Sequence, residues 1–274
     1  MLLDGKYIRK GCYLLLAVDY RTLDIVAHLV CDSESEDNYT KLIDLVEACS
    51  YKISALISDG HTAITSLTIP KKLAFRKGGR NYPRPGIKPA KKPRARLEGT
   101  PHQWCVVHAQ RELEQLIGKL ERRENRKYQE LRGLICNILF AKTLNLANKK
   151  KDHLVARSFE TKSAIYKQVL SFILAHWTML TLHHTLRVNG RKIPRDSNTV
   201  ENVISYINSR LKTTRKLRTA NSAIPICNLI VVNYRTKPLQ NTKNKLKRGK
   251  SPLALTSGKN INFDWKIFIQ KSTA

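Results

Sequence analysis

Three acidic residues that lie far apart along the chain are of a type that could do chemistry together: Asp4, Asp59 and Glu201. Singly, each has a structural explanation, because Asp59-Gly60 is typical of a strand-ending turn and Glu201 of a first-turn helix acid. Carboxylates held close together repel unless a cation lies between them, and oxygen-only ligands favour Mg²⁺ or Mn²⁺. Two such ions can activate an attacking oxygen and stabilise the leaving oxygen of a phosphodiester. If folding gathers the three acids, phosphodiester chemistry is predicted.

The spacing of apolar residues predicts the elements that must position these acids. Three strands joined by short turns, a helix, a buried strand and a second, short helix are predicted at 2–9, 12–18, 24–31, 38–49, 53–58 and 61–67. This β-β-β-α-β-α order predicts an α/β fold with an RNase H-like mixed sheet, in which three antiparallel strands precede α/β units. The first and fourth strands are neighbours in such a sheet, so Asp4 and Asp59 would lie side by side.

The remainder of the chain is predicted to be mostly helical. An apolar run at 103–107 leads into a helix at 108–120, helical spacing continues through 121–185, and Asp196-Ser197-Asn198-Thr199 is a strong helix start. We expect a catalytic domain formed by 1–118 and 195–235, a long helical insertion at 119–194 before the last catalytic helix, and a basic, loosely ordered tail at 236–274.

Asp19 is the main alternative to Asp4 as the first-strand acid. It ends the apolar run 14–18, and would take that role if 12–18 were the first strand. That assignment leaves only two strands before the helix at 38–49, one fewer than the expected meander. Asp19 also lies in a predicted turn, where aspartate is common for backbone reasons. We therefore favour Asp4.

The charge of the chain indicates a polyanionic partner. The 274 residues include 50 Lys and Arg against 21 Asp and Glu, a net charge of +29, and 42% are hydrophobic, which excludes wholesale disorder. Residues 1–75 are slightly acidic, with 8 basic and 10 acidic residues, so all of the positive excess lies beyond them. A small ribosomal or histone-like protein would be basic throughout. The asymmetry favours an enzyme that binds cations at one place and nucleic-acid phosphates around it.

Two basic segments are candidate DNA contacts. The segment 76–96 has nine Lys or Arg, four prolines and no acid, which predicts a mobile loop, either simply solvated or, as we favour, in contact with DNA. The second segment is the polar face of the helix that begins near Glu201, and no acid occurs from 202 to 263. The predicted contacts are Arg76, Lys77, Arg80, Lys91, Lys92, Arg94, Asn208, Arg210, Lys212, Arg215 and Lys216.

Cys105 and His108, three residues apart, allow two interpretations. With His102 they form His-x₂-Cys-x₂-His, which could be part of a zinc site, but no fourth ligand is nearby in sequence. Alternatively, Cys105 packs as a small apolar group, and His108 orders the site or contacts a phosphate of the scissile strand. We favour this second interpretation. The six cysteines lack the spacing of a disulfide framework, which indicates a reducing, cytoplasmic location.

Five short motifs occur in one order along residues 2–220. They are Leu3-Asp4-Gly5-Lys6-Tyr7, Ile57-Ser58-Asp59-Gly60-His61, Trp104-Cys105-Val106-Val107-His108, Asn198-Thr199-Val200-Glu201-Asn202 and Asn208-Ser209-Arg210-Leu211-Lys212. The ordered set resembles a DDE transposase of the Mutator-like group and its bacterial insertion-sequence relatives. By this resemblance Asp4, Asp59 and Glu201 are the catalytic, metal-binding triad, and Cys105 and His108 match the family's C-x₂-H element beside the active site.

The resemblance also implies a reaction and its partners. Such an enzyme uses two Mg²⁺ or Mn²⁺ ions to cleave double-stranded DNA at terminal inverted repeats and transfer the freed 3′-OH to target DNA, acting as a homodimer or larger oligomer. It implies a prokaryotic, nucleoid-associated protein of the cytoplasm, and no run of about 18 apolar residues predicts a membrane span. Family members carry a DNA-recognition region before the catalytic fold, whereas the first predicted strand here begins at residue 2. We therefore expect a truncated or inactive copy.

Two other classes of function remain open. An RNase H-like metal nuclease or resolvase would use the same triad without needing the long helical insertion. A non-enzymatic basic nucleic-acid-binding protein would not need the three acids at all. Salt-dependent DNA binding is common to all three classes and does not separate them.

Overall fold

Three antiparallel strands begin the chain, as its apolar pattern predicts. In the computed structural model, β1 (Leu2–Arg9), β2 (Cys12–Val18) and β3 (Ile25–Cys31) pair in sequence order, and Asp4 lies opposite Leu16. The side chains from Leu14 to Val18 are all fully buried. A strand buried along successive residues is covered on both faces, so β2 is the centre of this part of the core. The expected meander is confirmed, and Asp4 lies in its first strand.

The remaining elements alternate briefly between strand and helix and then become helical. The structure describes residues 1–69, 95–118, 125–161, 163–214, 220–240, 242 and 244–259. Within them the further strands are β4 (Leu56–Ser58), β5 (His102–Trp104), β6 (Arg187–Val188) and β7 (Arg191–Lys192). The helices are α1 (Glu36–Ala48), α2 (Thr62–Thr68), α3 (Val106–Ile117), α4 (Asn125–Leu139), α5 (Leu144–Glu160), α6 (Ala164–Ala175), α7 (Trp177–Thr185), α8 (Asn198–Leu211), α9 (Ala220–Thr236) and α10 (Pro252–Ser257). The expected α/β class is confirmed.

The chain divides into two compact units. The first comprises residues 1–52 and 197–274, and the second comprises 53–196. These bounds differ from the expected domains, because 53–118 falls in the same unit as the predicted helical insertion. The division into a catalytic domain and an insertion stays a prediction. In the described residues, no helix combines the length and the apolar character that crossing a membrane requires.

Helices cover the three strands of the first unit. Both α1 and α9 pack against β2 and β3, and α8 packs against β1. The Ser35 side chain caps α1 by accepting a hydrogen bond from the backbone N–H of Asn38, and Tyr39, Leu42 and Val46 bury the inner face of that helix. The tail expected to be loosely ordered contains α10, which packs against α9 and is capped by Ser251. Residues 260–274 of that tail lie outside the described residues.

A buried ion pair connects the β2–β3 turn to α9. Asp24 is 0% exposed, and Arg235 donates to both of its carboxylate oxygens, from Nε at 2.8 Å and from an Nη at 2.9 Å.

Asp19, at the start of the same turn, accepts a hydrogen bond from the backbone N–H of Arg21 at 2.7 Å. Burial and a hydrogen bond with Asp19 raise the pKa of Tyr51. Asp19 thus has a turn-forming role.

The second unit combines a parallel strand pair with a helical core. In the pair, Leu56 of β4 lies opposite His102 of β5, and Ser58 lies opposite Trp104. α7 packs against β5, and α3 packs against α4 and α6. The β6–β7 hairpin turns at Asn189-Gly190, both with positive φ, which is the favoured chemistry for a two-residue hairpin. The six cysteines, which all belong to the described residues, form no disulfide.

Replacing Arg235 with methionine should destabilise the first unit by about 3–5 kcal/mol, because it leaves a fully buried carboxylate without its cation. The measurement is the urea midpoint of the purified chain. As a control, Arg157→Met removes ion pairs with Glu130 and Glu160, whose side chains are 34% and 59% exposed. Its cost should be about 1 kcal/mol or less. Equal shifts for the two variants would contradict a special role for the buried pair.

Candidate functional site

Two of the three predicted carboxylates belong to elements that pack together. Asp4 is half-buried in β1, and its Oδ1 accepts a hydrogen bond from the backbone N–H of Gly5 at 2.8 Å. Glu201 is half-buried in the first turn of α8, and α8 packs against β1 within the first unit. The fold therefore brings together the strand that carries Asp4 and the helix that carries Glu201, although they are nearly 200 residues apart in the printed sequence.

The packing of α8 sets which way its polar residues face. Val200, Val203 and Ile207 are buried, at the spacing of one helical face. At the start of the helix, the backbone N–H groups of Val200 and Glu201 both donate to the carbonyl of Ser197. A carboxylate in this first turn is favoured by the positive end of the helix dipole. Glu201 is thus held near the helix start, beside the apolar face that packs.

Asp59 belongs to the second unit, where the following turn determines its position. It comes directly after β4, and its Oδ1 accepts a hydrogen bond from the backbone N–H of His61 at 2.9 Å. Trp104 Nε1 donates to the carbonyl of Asp59 at 2.5 Å. Gly60 has φ +90°, and a Cβ there would lie 1.9 Å from the indole. The relation of Asp59 to Asp4 and Glu201 stays a prediction, because they belong to different units.

Asp59 interacts electrostatically with Glu112, and so do His108 and His176. Of these last three residues, only His108 is a candidate from the sequence. Burial and the negative charge of Asp59 raise the pKa of Glu112, while the nearby His176 and His108 act in the opposite direction. His176 packs edge-on against the Trp104 ring, with the ring centroids 4.7 Å apart. A carboxyl group whose pKa is raised in this way is a candidate for accepting or donating a proton.

The sequence contained a signal for one of the two missed residues. Glu112 follows His108 by four positions, so both lie on the same face of the helix that the apolar pattern predicts. His176 carries no such signal, because it reaches Trp104 only through the packing of the helical core. The pair His108 and Glu112 could have been found from spacing alone.

Cys105 and His102 lie in the interior. Cys105 is fully buried, and its backbone N–H donates to the carbonyl of Ser58 at 2.8 Å. The two ring nitrogens of His102 lie 2.8 Å from Ser58 Oγ and 3.0 Å from Thr68 Oγ1. Both nitrogens are therefore engaged in hydrogen bonds, and the imidazole is fixed between two hydroxyl groups. His108 is half-buried, with Nε2 3.4 Å from the Arg111 guanidinium.

The donor chemistry of the predicted triad suits a hard cation. Carboxylate oxygens from Asp4, Asp59 and Glu201 would match the preference of Mg²⁺ or Mn²⁺. Across the described residues, no three His, Cys, Asp or Glu side chains are gathered so that they could hold a metal ion. The metal site stays a prediction.

Three of the eleven predicted DNA contacts lie within the described residues. The other eight lie outside the described residues: Arg76, Lys77, Arg80, Lys91, Lys92, Arg94, Arg215 and Lys216. On α8 and directly after it, Asn208 is half-buried, whereas Arg210 and Lys212 are exposed. The Arg210 guanidinium lies 5.3 Å from the centre of the Tyr206 ring. These two cations are available to a ligand on the exposed side of α8, and contact with DNA stays a prediction.

Acid should destabilise the second unit through His102. Burial lowers its pKa to about 4, from an ordinary value near 6.5. The unfolded chain then binds a proton that the folded chain excludes, so stability is complete above pH 6.5 and falls by about 3 kcal/mol as the pH drops to 4. The His102→Gln variant should show a shallower dependence of the urea midpoint on pH across that window. Replacement of the exposed His153 by glutamine is the control, and an unchanged slope in His102→Gln would contradict the assignment.

Gly60→Ala should destabilise the chain by about 2–4 kcal/mol, because alanine is strained at this φ and its Cβ overlaps the Trp104 indole. Thermal unfolding measures the effect. Gly133→Ala is the matched control, since a Cβ at this position in α4 meets nothing within 4 Å and should stabilise the helix slightly. Similar melting temperatures for the two variants would show that the indole does not require a glycine at position 60.

Comparison with known proteins gives no family for the chain. A scan against models of known protein families finds no match, and a search of curated proteins finds none either. The likeness to DDE transposases therefore rests on the residues of the five motifs and on their order.

Proposed function

We propose that the chain is a DDE transposase of the Mutator-like and insertion-sequence type, which cleaves DNA and transfers its strands with the help of divalent metal ions. The proposal rests on the ordered motifs and on the elements that carry them. Three antiparallel strands, a helix and a parallel strand pair follow one another along the chain, and this order is compatible with an RNase H-like catalytic fold.

One observation carries the proposal. The helix with Glu201 packs against the strand with Asp4, and both carboxylates are only half-buried. The helix dipole alone would explain an acid such as Glu201 in the first turn of α8. It would not explain a second acid, Asp4, on the strand against which α8 packs. Two half-buried carboxylates on packed elements, with Asp59 as the predicted third, can serve a site that is open to substrate and metal.

The charge distribution supports a DNA substrate. All of the net positive charge lies beyond residue 75. The exposed Arg210 and Lys212 lie at the end of α8, the helix whose first turn contains Glu201. Cations near a carboxylate site can neutralise the phosphates on either side of a scissile bond. Binding of an acidic partner protein would account for the basic residues, but it would give no role to the carboxylates of Asp4, Asp59 and Glu201.

The reaction proceeds as two in-line displacements at phosphorus. Asp4, Asp59 and Glu201 would hold two Mg²⁺ or Mn²⁺ ions, which supply charge stabilisation for the attacking and leaving oxygens. In the first displacement a water oxygen bonds to phosphorus, and the DNA 3′-oxygen leaves and takes up a proton. In the second, that 3′-OH bonds to a phosphorus of the target DNA, and the 3′-oxygen of the target strand leaves. Glu112, beside Asp59 and with a raised pKa, can accept the proton that the attacking hydroxyl loses.

The test is cleavage and strand transfer by the purified chain with Mg²⁺ or Mn²⁺. The substrates are supercoiled plasmid and a duplex with a free 3′-OH. Asp4→Asn, Asp59→Asn and Glu201→Gln should each lower the rate about a hundredfold or more, because each removes a charge that stabilises the transition state. Asp19→Asn is the matched control and should keep the rate, and DNA binding without metal should be unchanged in all four variants.

The possible outcomes separate the three classes of function. Strand transfer that requires all three acids supports a transposase. Cleavage that requires them but yields no joined product would favour a nuclease or resolvase. If none of the three substitutions changes any activity, or if the wild-type chain binds DNA and leaves it intact with both metals, the proposed enzyme is wrong.

A further inference from the structure

A small basic pocket lies in the second unit. The cavity has a volume of about 210 Å³ and is lined by Lys142, His183, His184, Lys192 and Arg195, together with Ala141 and Ile193. These residues come from the α4–α5 connection, the end of α7, β7 and the segment after it. Five of the seven described lining residues can carry a positive charge, and none of the seven is acidic.

The imidazoles of this pocket are held in place. His183 is 9% exposed, and both its backbone N–H and its Nδ1 contact Gln103 Oε1, at 2.8 Å and 3.3 Å. Gln103 is itself fully buried in β5. The His184 ring packs against the His183 ring, with the centroids 4.0 Å apart and the planes tilted by 39°. The two rings therefore form a fixed wall, unlike the side chains of surface lysines.

Arg195 is held from two sides. Its carbonyl accepts a hydrogen bond from the backbone N–H of Val106, at the start of α3, at 3.0 Å. Its guanidinium lies 5.2 Å from the centre of the Phe140 ring, and its Nε lies 3.7 Å from Asp196 Oδ2. A guanidinium that is oriented in advance loses less freedom when it binds a planar or tetrahedral anion.

The positive charges around the pocket are close enough to affect one another. Burial lowers the pKa of His183 to about 4, and the positive charges of His184, Arg195 and Lys192 act in the same direction. Burial and Lys192 also lower the pKa of His184. Gathering like charges around a concave surface costs free energy, and an anion in the cavity removes that cost. The pocket is thus built to receive negative charge.

We propose that this pocket binds a phosphate group of the DNA backbone. Lys192 and Arg195 supply the charge, with the Arg195 guanidinium suited to paired hydrogen bonds with phosphate oxygens, and Lys142 and the two imidazoles line the remaining walls. The choice of DNA rests on the proposed function, whereas the preference for phosphate rests on the pocket alone. The site would hold a phosphate in the second unit, at residues other than the DNA contacts that the sequence predicts.

The test compares two double variants with equal charge. Lys192→Gln with Arg195→Gln removes two cations from the pocket, and Arg126→Gln with Lys149→Gln removes two exposed cations from α4 and α5 in the same unit. Binding of a fluorescent duplex is measured by anisotropy in EDTA, over a range of salt concentrations. The pocket variant should bind about tenfold more weakly and with a shallower salt dependence, whereas the control should change about twofold or less.

A second measurement identifies the source of the phosphate. Inorganic phosphate added to the wild-type chain should shift the NMR signals of the His183 and His184 rings, and Lys142→Gln should weaken that response. If phosphate shifts these rings but the two double variants bind DNA equally, the proposed DNA contact is wrong and the ligand is free phosphate. If phosphate leaves both rings unchanged and the variants bind DNA equally, the whole proposal is wrong. Because no metal is present, failure of cleavage cannot be confused with failure of this site.

Discussion

The contact between the Trp104 indole and the Asp59-Gly60 turn is the constraint on which the second unit depends most. The indole occupies the space that any side chain at position 60 would need, and its N–H binds the carbonyl of Asp59. The same ring packs against Phe172 and His176 at the end of α6. One side chain therefore connects the turn after β4, the strand β5 and the helical core. The position of the Asp59 carboxylate is a consequence of that packing.

Elements with a strong local pattern could be predicted from the sequence. The three opening strands and α1 agree with their predicted bounds within one or two residues, because apolar alternation and the Ser35 cap are local signals. The predicted strand 53–58 shortens to Leu56–Ser58, and its parallel partner is just as short. Such strands are defined mainly by what packs on them, and residues between 53 and 55 carry no signal that marks the true start.

The site was less predictable than the fold, for a physical reason. Asp4 and Glu201 could be singled out because each stands at a recognisable place in a strand or helix. The helix α8 packs on β1, and the joint role of the two acids stays a prediction. His176 and Arg195 acquire their surroundings only from distant segments: a tryptophan ring in one case, the start of α3 and a phenylalanine ring in the other. Side chains whose role depends on tertiary neighbours leave no periodic signal in the sequence.

The pairing of Asp24 with Arg235 has a consequence for synthesis on the ribosome. The first unit is discontinuous, and its buried carboxylate meets its cation only after some 210 further residues have been translated. The second unit consists of one continuous segment, 53–196. Its contacts are complete before the carboxy-terminal part of the chain emerges, so it can fold first, while the opening strands wait for α8 and α9. A ribosome that stalls before residue 220 would leave β2 and β3 without α9, a state that exposes apolar surface of the strands to aggregation and to chaperones.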